Sequence, residues 1–268
     1  MKEQRAKGIW PARIAENSAI AQGVYRLVLA PAGDGWFDPA GARPGRFVNL
    51  YLPSADKLLP RPLSICQSEP DQLTLVYGVV GNGTKELSTY PPDTELRLSS
   101  PLGNGYDLSD VSSRDSALLI GGGLGVPPLL ALTKALIDTG VSVTAVLGFR
   151  SEPFLTQDFV DLGANVLIAT EDSSVGSKGT VMDTLSQMHL NADHWYACGP
   201  KPMLQEIAYY SQSIGIDAQL SMEERMGCGF GACLSCTCET RNDDGKKQRK
   251  KICKDGPVFW GREVFFHG

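Results

Sequence analysis

Residues 117–128 read Ala117-Leu118-Leu119-Ile120-Gly121-Gly122-Gly123-Leu124-Gly125-Val126-Pro127-Pro128. Four apolar residues run into a glycine-rich loop, and the two prolines suit the first turn of a helix. In this strand–loop–helix arrangement, backbone N–H groups and a helix N-terminus face a phosphate. The match to the dinucleotide fingerprint is partial, because the third glycine position is Val126 when read from Gly121 and Pro128 when read from Gly123. A tight turn in a sheet stays open as the alternative. Working outward, strands are expected at 117–120, 142–147, 165–169 and 194–198. Helices are expected at 127–138, 152–162, 180–189 and 201–213, and this alternation predicts a parallel sheet. Thr170-Glu171-Asp172 follows the third strand and Cys198-Gly199-Pro200 the fourth. Both lie at carboxyl ends of strands, where open α/β sheets bind ligands, and the acidic pair there is suited to accept from ribose hydroxyls.

Upstream of residue 115 the rhythm is different. Residues 24–29, 46–52 and 72–77 alternate apolar and polar side chains, the period of half-buried antiparallel strands. Pro31, Pro39, Pro44 and Pro60 interrupt the runs too often for long helices, so a small all-β barrel or sandwich is expected. The chain has 268 residues, 42% hydrophobic and 21% charged, with a net charge of −5. This composition excludes a disordered or collagen-like chain, and the charge argues against a general nucleic-acid binder. The longest apolar stretch, 118–137, is broken by glycines, prolines and Lys134, so no membrane span is read from it. Residues 1–5 lack the apolar core of a signal peptide, and a cytoplasmic location is expected.

Beyond residue 216 glycine, cysteine and charge dominate. Five of the seven cysteines lie in the last 41 residues. Cys228, Cys233 and Cys236 are spaced C-x4-C-x2-C, and Cys253 follows after 16 intervening residues, the plant-type [2Fe–2S] ligand spacing. Gly227, Gly229 and Gly231 let the backbone turn sharply and bring N–H groups to the sulfurs. Structural zinc is the alternative, although a zinc ribbon shows paired C-x2-C knuckles and only Cys233/Cys236 makes one. A thioredoxin-type Cys-x-x-Cys is a third reading, but its βαβ context is missing. Cys238 reads as a bystander thiol. The basic run Lys246-Lys247-Gln248-Arg249-Lys250-Lys251 reads as a solvated hairpin tip or as a docking patch for an acidic partner.

Taken together, Arg61-Pro62-Leu63-Ser64, Gly81-Asn82-Gly83-Thr84, Pro101-Leu102-Gly103-Asn104-Gly105, the 121–128 loop, Cys198-Gly199-Pro200 and the segments Glu223 to Cys228 and Cys253 to Pro257 resemble the ferredoxin–NADP reductase superfamily. Within it they resemble the electron-transfer subunits of heteromeric NAD-dependent dihydroorotate dehydrogenases, over nearly the whole chain. The resemblance implies a multidomain chain. An FAD-binding antiparallel β-barrel would span 1–110, an NAD-binding α/β parallel-sheet domain 111–215, and a small [2Fe–2S] domain 216–268.

It further implies that Arg61 pairs with the FAD pyrophosphate, as a guanidinium fork is suited to do. Pro62 and Leu63 would line the flavin, Ser64 would hydrogen-bond near its N5, and Gly81, Gly83 and Thr84 would face its phosphates. Many relatives carry tyrosine where this chain has Leu63, so Tyr77 or Tyr106 is the candidate aromatic face. Gly121, Gly122, Gly123, Gly125 and Gly199 would hold NAD. Cys198 would lie by the nicotinamide as a catalytic neighbour of Ser64, or sit there as a buried thiol. Glu171 and Asp172 would repel a 2′-phosphate and favour NAD over NADP, whereas Arg150 opposes that choice.

Hydride carriers move electrons in pairs and a [2Fe–2S] centre takes one at a time, while a flavin does both. The expected path is therefore between NAD and FAD, then to the cluster. Beyond it the resemblance implies an FMN-containing catalytic partner subunit, in a heterotetramer, that oxidises dihydroorotate in pyrimidine biosynthesis. The chain itself shows no general acid or base for that substrate: its three histidines are His189, His194 and His267. Two rivals are an NAD(P)H-dependent flavin/iron–sulfur reductase serving a ferredoxin or other acceptor, and a zinc-stapled nucleotide-binding module with no redox role.

Overall fold

The computed structural model describes residues 8–33, 41–54, 56–242 and 244–266. The N-terminal stretch 1–5, Pro39 and His267 lie outside them. Strands β1 (Ile9–Ala21), β2 (Val24–Pro31), β3 (Phe47–Tyr51), β4 (Arg61–Glu69), β5 (Gln72–Gly78) and β6 (Glu95–Ser99) close a barrel in the order β1-β2-β5-β4-β3-β6. Every pairing in it is antiparallel. The two-residue period fills its interior with Leu27, Leu29, Val48, Leu50, Leu73, Leu75, Leu96 and Leu98. Helix α1 (Asn82–Leu87) bridges β5 and β6. Residues 101–105 dock the barrel onto the C-terminal segment: the Asn104 amide donates to the Val258 carbonyl at 2.7 Å and accepts from the Val258 N–H at 3.1 Å.

Strands β7 (Ser116–Gly122), β8 (Ser142–Phe149), β9 (Asn165–Thr170), β10 (Ser177–Lys178), β11 (His194–Cys198) and β12 (Gln219–Ser221) are mutually parallel. Helices α2 (Pro127–Asp138), α3 (Thr156–Asp161), α4 (Val181–Met188) and α5 (Lys201–Ser213) alternate with them. The second expected helix is shorter than 152–162, because Pro153 and a left-handed Leu155 (φ 62°) delay its start. Sheet order is β10-β9-β8-β7-β11-β12, so the chain winds outward from β7 and then returns to its other side at β11. That reversal opens a crevice at the carboxyl ends of β7 and β11.

Hairpin strands β13 (Thr237–Arg241) and β14 (Lys247–Lys251) and helix α6 (Ile252–Asp255) follow, and then β15 (Val258–Trp260) adds to the sheet antiparallel to β12. Two strands of the main sheet thus come from 216–268. Ile252, Cys236 and Cys253 pack in one core with Trp195, Leu220 and Phe259, so the short cysteine segment uses the sheet's core instead of building its own. The basic run is not the tip of the hairpin but the strand β14 itself. No helix among the described residues is long and apolar enough to cross a membrane.

Candidate functional site

The barrel and the sheet face each other across a cleft of about 1060 Å³. One wall is the barrel, contributing Arg61, Pro62, Leu63 and Ser64 from β4, Tyr77 from β5, and Gly81, Gly83 and Thr84 at the start of α1. The other is the crevice of the sheet, contributing Gly122, Gly123 and Gly125 from the glycine loop and Cys198 and Gly199 from the end of β11. Four sequence motifs spread over more than a hundred residues therefore line one cavity. An ion pair between Arg26 of β2 and Asp158 of α3, at 2.7 Å, ties the walls together.

The barrel wall fits a dinucleotide phosphate. The Arg61 guanidinium lies over Gly83, where an added Cβ would meet its Nη2 at 2.1 Å, and it donates to the Leu59 carbonyl. Only glycine leaves room for that cation beside the first turn of α1. The Thr84 hydroxyl accepts from the N–H groups of Val80 and Gly81, at 3.0 and 3.2 Å, and so shapes the turn. Tyr77 is buried, stacks on Tyr25 at 5.6 Å and donates its hydroxyl to Asn17 at 2.9 Å. Tyr106 is a core residue outside the cleft, and its hydroxyl donates to the Ala197 carbonyl at 3.2 Å. Burial pushes the Cys198 thiol up to about 12, against a hydrogen bond with Ser221 that lowers it.

Three expected cofactor residues lie outside the lining. Gly121 is inside β7, paired with Leu147 of β8 and Cys198 of β11, so sheet neighbours occupy both its flanks. Glu171 and Asp172 are exposed on a turn after β9, two strands from the crevice, and the Asp172 carboxylate accepts from the Ser174 N–H at 2.9 Å. Arg150, Ser151 and Glu152, after the nearer strand β8, line the cleft in their place. Sequence reading also missed Phe47 and Met222 on the lining, and read Glu223 only as part of the lead-in to Cys228. Only the outward phase of Phe47 in the alternation of β3 signalled it. His194 bonds Asp115 at 2.9 Å and His189 ends α4, so no histidine among the described residues lines the cleft.

The thiols form the second half of the site. The Sγ atoms of Cys228 and Cys233 are 3.4 Å apart, and Cys253 hydrogen-bonds Cys236. Two pairs of thiols match a two-iron cluster better than one zinc. Burial opposes ionisation of Cys228, but the N–H groups of Cys233, Phe230 and Ala232 outweigh it and bring the thiol down to about 6. For Cys253, burial and then Cys236 push the thiol up to about 12, although the Gly231 N–H opposes that rise. This is a donor set of sulfurs with converging N–H groups, suited to a group that brings positive charge of its own. Burial pushes the Cys238 thiol up to about 11, and its side chain packs on the sheet core as a bystander.

Barrel and thiol loop touch at Asn49. Phe47 and Asn49 share the outer face of β3; Phe47 lines the cleft, and the buried Asn49 amide donates to the Cys228 carbonyl at 2.9 Å. In an Asn49→Ala variant the partly buried carbonyl loses its partner, at a cost of about 0.5–1.5 kcal/mol. Cluster affinity is expected to fall by roughly 10- to 100-fold, the usual effect of losing a group that holds a ligand in place. Iron release to a chelator measures this, with flavin content unchanged.

Comparison with known proteins agrees with this geometry. The model for the iron–sulfur cluster binding domain of dihydroorotate dehydrogenase B matches residues 223–265. The dihydroorotate dehydrogenase B (NAD(+)) electron transfer subunit of Shouchella clausii is 42% identical over 257 residues, covering 94% of this chain and 96% of that protein. The corresponding subunit of Caldanaerobacter subterraneus is 37% identical, covering 95% and 98%. The solved structure of an NADH-dependent reduced ferredoxin-NADP oxidoreductase superposes with a TM-score of 0.82 at 27% identity, over 95% of this chain and 89% of that one. The closed barrel, the switch-point crevice and the thiol loop define an oxidoreductase of the ferredoxin–NADP reductase class. Within that class the chain belongs to the family of dihydroorotate dehydrogenase B electron transfer subunits.

Proposed function

We propose that this chain carries electrons between NAD and a catalytic partner subunit that oxidises dihydroorotate to orotate in pyrimidine biosynthesis. In this reading the barrel (1–110) holds FAD, the sheet (111–215) presents NAD to it, and 216–268 holds a [2Fe–2S] cluster. When bound, the nicotinamide supplies or takes electrons in pairs, the cluster takes them singly, and the flavin converts between the two.

The chain's own residues bind and orient. Arg61 neutralises the FAD pyrophosphate, with Gly83 giving it room, and Pro62 and Leu63 flank the flavin. Ser64 supplies a hydroxyl where the nicotinamide meets the flavin. Gly122, Gly123, Gly125 and Gly199 let the nicotinamide dinucleotide approach the backbone, and Cys198 closes the end of that pocket. Cys228, Cys233, Cys236 and Cys253 hold the cluster.

The observation that carries the reading is the continuity of the three sites, with one cleft shared by both nucleotide motifs and Asn49 joining its barrel wall to Cys228. Phe230 and Leu234, on the thiol loop, are exposed large apolar side chains. They form the face offered to the partner, where a short electron path requires contact. We further propose that the partner carries FMN, that two copies of each subunit form a heterotetramer, and that the assembly is cytoplasmic.

Anaerobic visible and EPR spectra before and after NADH, with iron and zinc quantified, test the cofactors. The expected result is bleaching of the flavin bands and a rhombic reduced [2Fe–2S] signal. A colourless zinc-loaded protein indifferent to NADH would overturn the reading. The likeness to a ferredoxin-NADP oxidoreductase supports a second reading, delivery to a ferredoxin. Pull-down separates the two: recovery of a flavin-bearing, orotate-forming dehydrogenase supports the first, and recovery of a ferredoxin alone supports the second.

A further inference from the structure

The basic strand β14 ends against the thiol loop. Lys251 places its Nζ 2.7 Å from the carbonyl oxygen of Gly231. Two other cations of the run are engaged elsewhere: Lys247 with Glu239 at 3.2 Å, and Lys250 with Glu263 at 3.3 Å and over the Phe259 ring. The Gly231 carbonyl shares a peptide unit with the Ala232 N–H, and across a trans peptide the two point in opposite directions. That N–H is directed at the sulfur of Cys228 and helps to lower its thiol, beside the Cys233 N–H, which donates to the same sulfur at 3.4 Å. An ammonium at one end of this peptide therefore faces a cluster ligand through the other.

The Gly231 N–H, in the preceding peptide, is directed at Cys253 and opposes the rise of its thiol, so the loop addresses both thiol pairs from adjacent peptide units. Gly231 sits at φ +91°, and a Cβ there would come within 2.9 Å of the Lys254 side chain. The loop's peptide planes are thus set by a residue without a side chain, pressed against the next basic residue.

We infer that Lys251 is a positioning residue that polarises the Gly231–Ala232 peptide toward Cys228 and thereby favours the reduced state of the cluster. This rests on reading the four cysteines as [2Fe–2S] ligands. Such a cluster becomes one charge more negative when it takes up an electron, and hydrogen bonds to its sulfurs, together with net charge, set its potential. A hydrogen bond to the carbonyl strengthens the N–H of the same peptide as a donor, because chains of hydrogen bonds polarise one another. The ammonium adds its own field across a short, partly buried distance. Both effects stabilise the more negative state.

The test is an EPR-monitored redox titration of the intact complex carrying Lys251→Met, with iron quantified in parallel. The variant is expected to keep its iron and its reduced signal. Its ratio of oxidised to reduced cluster at a fixed potential should rise threefold to tenfold, a midpoint shift of roughly 30–60 mV to more negative values for a one-electron couple. Lys251→Arg should restore most of the shift. Lys250→Met removes the same charge from the same strand without touching the loop and should leave the midpoint in place. An unchanged midpoint in Lys251→Met, or an equal shift in Lys250→Met, overturns the inference. If Lys251→Met does not retain iron, Lys251→Gln decides, since its neutral amide still reaches for the carbonyl: a negative shift supports the inference and an unchanged midpoint overturns it. Wild-type protein without iron or a reduced signal would instead mean that the cluster reading itself had failed.

Discussion

A Cys253→Ala variant is expected to lose its iron and its reduced EPR signal while NADH still bleaches its flavin. Cys253 is buried in the core shared by α6 and the sheet, and alanine is tolerated there as a small apolar residue, so the barrel and the crevice stay folded. The cluster has no substitute for it, since the bystander Cys238 lies on β13 and is committed to the core. Losing a direct ligand should exceed the roughly 10- to 100-fold loss of affinity that follows removal of an outer-shell partner. Electron delivery to the catalytic partner should fall with the iron content, whereas NADH oxidation by a two-electron dye that takes electrons from the flavin should persist. The two assays run side by side separate the halves of the path. Retention of full partner-coupled activity in iron-free protein would show that electrons bypass the thiol loop.

The second large effect is expected at Gly125. A Cβ on this residue would lie 2.1 Å from the carbonyl oxygen of Cys198 and 2.5 Å from the N of Gly199, both backbone atoms that cannot swing aside. In Gly125→Ala the glycine loop must therefore separate from the end of β11, the two segments that form the crevice. Overpacking of this kind costs typically 1–3 kcal/mol, and the separation distorts the side of the cleft proposed for the nicotinamide. Stopped-flow reduction by NADH should show at least about a tenfold weaker apparent affinity, the equivalent of ~1.4 kcal/mol, while FAD content is unchanged because the barrel wall does not move. Equal loss of FAD and NADH binding would mean that the loop serves the whole cleft and not the nicotinamide side alone.

The barrel, the parallel sheet and the thiol loop were legible in the sequence because each is a local pattern. A two-residue period in 72–77, a strand running into glycines and prolines at 117–128, and the C-x4-C-x2-C spacing all describe segments whose backbone conformation is set by neighbours a few residues away. Which loops share a cavity is a different question. Glu171 and Asp172 follow a strand as readily as Arg150 and Glu152 do, but sheet order puts β8 beside β7 and β9 one strand farther out. The crevice therefore opens on the second pair. Tyr77 and Tyr106 look alike as single aromatics in apolar surroundings, and only the barrel's closure and the packing of 101–105 against β15 send one to the cleft and the other to the core.

By itself, then, the sequence determined the chemistry available to this protein: an arginine motif beside glycines suited to a dinucleotide phosphate, a glycine loop between strand and helix, and four thiols at cluster spacing. Tertiary structure decided how these parts are connected. The amide of Asn49 meets the carbonyl of a residue 179 positions later, and Lys251 reaches back 20 positions to Gly231. Neither contact leaves a trace in local periodicity, because each exists only once strand order and the docking of 216–268 on the sheet have brought distant backbone within hydrogen-bond reach.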